Sequence, residues 1–188
     1  MTVTRKFKIL AGYTIAYLLV AGSMAVGDAV LTGYVLEHGS GAYELNVKVD
    51  ASSVSAILGP ASRSLAIFTG LFCVSLAMCL ADDKQRKYLQ IKNRWDKLFI
   101  RLPGAAAIWN LILLFGALIN NGGMILFEYS WLQDVFRLIG FNTDNERMAA
   151  FVLFPLVTMV ILLVPTYLIF SKLADTAKRL MPAVATQI

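Results

Sequence analysis

The sequence is poor in the residues that most enzymes rely on. Its 188 residues include one histidine and two cysteines, and charged side chains make up 15% against 58% hydrophobic. The lone His38, with Glu37 and Glu44 near it in sequence, lacks the further nitrogen or sulfur donors that a metal site requires. Cys73 and Cys79 lie six residues apart in one apolar run, so on a helix they point in different directions and do not bridge each other. With no cysteine in the expected outer loops, a structural disulfide and paired-thiol redox chemistry are both excluded. No Gly-x-Ser-x-Gly elbow, His-Glu-x-x-His helix, phosphate loop or dinucleotide fingerprint occurs. The expectation is a chain with no cofactor, no metal and no enzymatic activity.

What the sequence does have is apolar surface. A mean hydropathy of +0.67 lies above the range of soluble domains, and the length leaves room for four spans of about 20 residues with short connections. The fold class expected is all-α: an integral membrane four-helix bundle forming one membrane domain. Its spans are expected at about residues 9–36, 60–80, 103–127 and 148–170, with an inner loop over 82–102. Of the 17 Lys and Arg, 13 fall in three stretches, Arg5 to Lys8, Lys84 to Arg101 and Lys172 to Arg179. Their alternation with acidic or neutral stretches places both termini and the inner loop in the cytoplasm. The basicity is thus a topology signal, and nucleic acid is not the expected partner. The expected location is the plasma membrane, the inner membrane in a bacterium.

The start resembles a secretory signal, with Arg5, Lys6 and Lys8, an apolar stretch and Ser23-Met24-Ala25. Apolar character continues to Leu36 with Asp28 as the one charge, so an uncleaved first span is expected. Gly12 with Ala16, Ala21 with Ala25, and Ser23 with Gly27 repeat at four-residue spacing, which allows close helix approach. In the outer loop, Leu45, Val47 and Val49 alternate with polar residues as in a short extended stretch. Pro60 and Pro103 are suited to opening the second and third spans. In the inner loop, Tyr88, Ile91, Trp95, Leu98, Phe99 and Leu102 describe one face of an amphipathic helix, with seven Lys/Arg around it. A second amphipathic set, Trp131, Leu132, Val135, Phe136 and Ile139, is expected at the outer interface. Pro155 and Pro165 are expected to bend the fourth span.

The candidate sites are polar groups at membrane depth. Asp28 and Arg63 lie about 28 Å and about 27 Å from the inner boundary along their helices, so an ion pair between the first two spans is expected; an ion or proton site is the alternative. Asn110, Asn120 and Asn121 in the third span need partners in lipid. With Gly27 they are expected at helix–helix contacts, within the protomer or in a homo-oligomer. Lys84, Arg86, Lys87, Lys92, Arg94 and Trp95 are the candidates for docking membrane lipids or a cytoplasmic protein.

The segment Asp28-x-x-x-Thr32 followed by Glu44-Leu45-Asn46 resembles a pattern in small prokaryotic membrane proteins and implies no activity. In size, span count and basic inner loop the chain is similar to the four-helix membrane subunit of the Kiwa anti-phage defence system. That resemblance implies an oligomeric membrane sensor that docks a cytoplasmic effector. The function expected is therefore a non-enzymatic membrane subunit, homo-oligomeric, anchoring or regulating a cytoplasmic partner. A small transporter or channel is the alternative, in which Asp28, Arg63 and the asparagines line the path.

Overall fold

The computed structural model describes residues 3–38, 54–88, 93–127, 130–141 and 144–181. It contains α1 (Val3–His38), α2 (Val54–Cys79), α3 (Asp83–Tyr88), α4 (Arg94–Phe127), α5 (Trp131–Leu138) and α6 (Asp144–Arg179), and no strand among the described residues. The extended stretch expected at residues 45–49 lies outside them. Four segments are long and apolar enough to cross a membrane: Arg5–Tyr34, Ala61–Cys79, Arg94–Phe127 and Leu153–Arg179. At most 28% of any of these windows is buried within the chain. Large side chains such as Leu19, Ile67, Val160 and Ile161 stand exposed along them, a surface that only a lipid solvent accommodates. The chain is a multi-pass membrane protein.

Two helix starts differ from the sequence reading, both because a proline opens no helix here. Pro60 is the seventh residue of α2 and Pro103 the tenth of α4. Each removes one backbone donor, which a helix in lipid tolerates when a neighbour serves the carbonyls left over. One turn before Pro103, the Ser75 hydroxyl of α2 donates to the Ile100 carbonyl. The amphipathic stretch of the inner loop is accordingly divided. Its first part is the short α3, and its second part is the first two turns of the third span itself.

Reciprocal caps set both starts. The Asp82 carboxylate accepts from the Gln85 amide (2.9 Å) and the Gln85 side chain accepts from the Asp82 amide (3.1 Å). At α4 the Asn93 side chain accepts from the Asp96 amide (2.9 Å) while the Asp96 carboxylate accepts from the Asn93 amide (2.8 Å). These boxes satisfy donors that every helix start leaves open. Asn93→Ala should cost about 1 kcal/mol and show as faster amide exchange over residues 94–97 with the rest of α4 unchanged.

The described residues fall into two compact units. Unit 1 comprises Met1–Leu19, Ile67–Asn110 and Leu162–Ile188; unit 2 comprises Val20–Ala66 and Leu111–Ile161. In unit 1 the Tyr17 ring stacks on Phe72 (centroids 4.6 Å apart), and Phe72 meets Phe170 edge-on at 5.8 Å. Leu76, Ala105, Ala107, Ala174 and Ala177 are buried beside them. Phe170 lies over Gly104, where any Cβ would strike the ring.

In unit 2 the four-residue stripe Ala21, Ala25 and Ala29 of α1 is buried. A Cβ at Gly27 would come within 2.9 Å of a Leu118 methyl of α4. Phe136 of α5 is buried and packs edge-on to Phe141 and Phe154 (6.5 and 6.0 Å). The outer amphipathic set therefore splits: Phe136 faces the interior, whereas Val135 and Ile139 remain exposed.

Candidate functional site

Polar side chains at membrane depth are joined chiefly to one another. In unit 2 the Asn121 amide nitrogen donates to the Asp28 carboxylate (2.8 Å) and to the Thr32 hydroxyl (2.8 Å), a clamp between α4 and α1. Asp28 and Thr32 are one turn apart on α1, so one amide reaches both. The amide of the adjacent Asn120 serves a different element. Its oxygen accepts from the Ser130 hydroxyl (3.0 Å) and the Leu132 backbone amide (3.2 Å), capping the start of α5. Two successive residues are about 100° apart on a helix, which is why one meets α1 and the other α5. In unit 1 the Tyr17 hydroxyl donates to the Ala107 carbonyl (3.1 Å), with the buried Asn110 amide also within hydrogen-bonding reach.

The clamp has the chemistry of a helix contact. Among the described residues no three His, Cys, Asp or Glu side chains come together.

The pairing expected between Asp28 and Arg63 is not among the ion pairs seen in the described residues. The ion pairs among the described residues are Lys6–Asp82, Arg101–Asp175 and Arg137–Asp134, and Arg63 is exposed. The cause is azimuth. Leu65 approaches α1 near Gly22, and Arg63, two residues earlier, is about 200° round the helix from it.

Charge concentrates at one end of unit 1. The Lys6 amine of α1 meets the Asp82 carboxylate (2.8 Å) and the Gln85 side chain (3.3 Å), gripping the cap of α3. Arg5 donates to the Leu180 carbonyl (3.2 Å) at the end of α6, and Arg101 of α4 meets Asp175 of α6 (2.8 Å). With Ser75 to Ile100, these bonds link α1 to the α2–α3 corner, α2 to α4, α4 to α6 and α6 back to α1. Both acidic partners are about half exposed, so each pair is worth at most about 1 kcal/mol and mainly sets register.

Of the proposed docking residues, Lys84 and Arg86 lie on α3 and Lys92 falls outside the described residues. Lys87, Arg94 and Trp95 are exposed. Sequence reasoning missed the Asn121–Asp28 clamp and the Lys6 contact. The first had a signal in the Asp28-x-x-x-Thr32 spacing, which puts two acceptors on one helix face. The second had one in Asp82-x-x-Gln85, a capping pattern. Comparison with protein-family models, with curated proteins and with solved structures finds no match for this chain.

Proposed function

We propose that the chain is a non-enzymatic membrane subunit, a four-helix bundle with both termini and the 82–102 segment in the cytoplasm, that anchors or regulates a cytoplasmic protein. The observation that carries this reading is the division of polar groups. The amides of the third span at membrane depth are spent on internal contacts, Asn121 with Asp28 and Thr32, and Asn120 with Ser130 and Leu132. The basic end instead keeps an exposed cation at Lys87 of α3, the surface assigned to that protein. The hydrogen bonds from Arg5 and Lys6 to the ends of α6 and α2 support a common side for the termini and inner loop. Gly12 and Ala16 of α1 remain exposed, which supports a homo-oligomer formed by close helix approach. The membrane assigned by this reading is the plasma membrane. The resemblance in layout extends it to a membrane sensor in phage defence whose partner is a cytoplasmic effector. A transporter would need open oxygen ligands along a path, and the Asp28–Asn121 clamp offers it no support.

The test is purification of the tagged chain from its native membrane in mild detergent, with Lys84→Glu, Arg86→Glu and Lys87→Glu combined in one variant. The parent should carry a stoichiometric cytoplasmic protein. The triple variant should insert at the parent's level and lose that protein at least tenfold. A parent that carries no such protein contradicts the reading.

A further inference from the structure

The first two turns of α4 have an exposed surface that the protein-docking proposal does not use. At 100° per residue, Trp95, Phe99 and Leu102 lie within about 60° of one another, and Arg94, Lys97 and Arg101 form a second stripe centred about 130° away. Arg101 is bonded to Asp175 of α6, which turns the far end of the second stripe toward α6, while Lys97 and Arg94, one and two turns nearer the helix start, stay exposed. The aromatic stripe therefore turns outward. Trp95 is 68% and Phe99 66% exposed, and neither makes a ring contact or hydrogen bond among the described residues.

Depth says what solvent they meet. The 34 residues of α4 extend about 51 Å at 1.5 Å per residue, roughly 20 Å more than a hydrocarbon core of about 30 Å. The apolar run from Ala105 to Phe127 fills the core, which leaves residues 94–102 at headgroup level. Tryptophan there marks the boundary of the acyl region.

Charge says which lipid. The carboxylates of Asp82 and Asp96 are committed to helix caps, and Asp82 also to Lys6. Lys87, Arg94 and Lys97 are exposed, and none is in an ion pair among the described residues. Two cations one turn apart beside an outward aromatic stripe match a phosphate layer carrying net negative charge. We infer that the first two turns of α4 are a binding surface for anionic phospholipid, with Trp95 and Phe99 at the acyl–headgroup boundary and Arg94 and Lys97 on the headgroup phosphates. This goes beyond the proposed function, which places a protein partner on α3. It does not require that partner.

The test uses the full chain in vesicles of mixed phosphatidylglycerol and phosphatidylcholine, with one or the other lipid brominated high on its acyl chains. The Trp95 signal is the difference between the parent and Trp95→Phe, so Trp109 and Trp131 stay in place. Brominated phosphatidylglycerol should quench Trp95 with an effective local concentration about fivefold that of brominated phosphatidylcholine at equal mole fraction, the preference expected of about one cation at the surface. Arg94→Gln with Lys97→Gln should abolish the preference and leave quenching by both lipids. Equal quenching in the parent overturns the anionic site. Absence of quenching by either lipid overturns lipid contact altogether and points to protein or water over Trp95. Only this chain and lipid are present, so failure of the partner proposal leaves the result unaffected.

Discussion

Replacing Asn121 with leucine should destabilise the chain by about 1–3 kcal/mol, the cost of removing a donor that bonds two side chains in a medium with no water to replace it. Asp28 and Thr32 both lose the Asn121 amide. Arg63→Gln, by contrast, changes an exposed side chain outside any ion pair among the described residues, and should fall within about 0.5 kcal/mol of the parent. Reversible unfolding in mixed micelles measures both. A double-mutant cycle then separates contact from coincidence: Asp28→Asn and Asn121→Leu should couple, whereas Asp28→Asn and Arg63→Gln should add within about 0.5 kcal/mol. An Arg63→Gln loss as large as that of Asn121→Leu would show that the ion pair, and not the amide clamp, holds α1.

Gly104→Ala should also be costly, and Gly70→Ala should not. Both glycines are inside helices, where alanine gains about 1 kcal/mol of intrinsic propensity. Nothing lies within 4 Å of a Cβ at Gly70, so that gain is free to appear. At Gly104 the new methyl meets the Phe170 ring, which is fully buried and held edge-on by Phe72. A ring with no exposed side has nowhere to retreat, and overpacking of about 1–3 kcal/mol outweighs the propensity gain. The same unfolding assay should rank Gly70→Ala at or above the parent and Gly104→Ala below it. The reverse order would mean that α4 and α6 are not packed through Phe170.

The spans were legible because hydropathy and charge bias act along the chain, and span existence depends on little else. Their facing was not, for a physical reason. In a soluble helix the apolar stripe announces the buried side. In lipid the outward side is apolar too, so a run such as Ala105 to Phe127 carries no preferred direction. That is why Asp28 and Arg63 were matched by depth alone, and why the partner of Asn121 went unseen.

Small-residue spacing left two readings open in a related way. Ala21 and Ala25 are spaced for an oligomer contact, yet they are buried inside unit 2, because close approach serves contacts within a protomer equally well. The prolines fit a first helical turn, yet Pro103 lies ten residues into α4, whose start is set by the Asn93–Asp96 side-chain cap instead. The Ser75 hydroxyl of α2 donates to the Ile100 carbonyl of α4, a contact with a partner 25 positions away that no local pattern reveals.

The central claim is that the basic end, with both termini and the 82–102 segment, faces the cytoplasm, since lipid contact and protein docking there both presuppose it in the cell. Cysteine accessibility tests it directly in a Cys73→Ser, Cys79→Ser background with Gln90→Cys or Ala42→Cys. An impermeant maleimide added outside intact cells should label position 42 and leave position 90 unlabelled until the membrane is permeabilised. Labelling of position 90 from outside, with position 42 protected, would contradict the account.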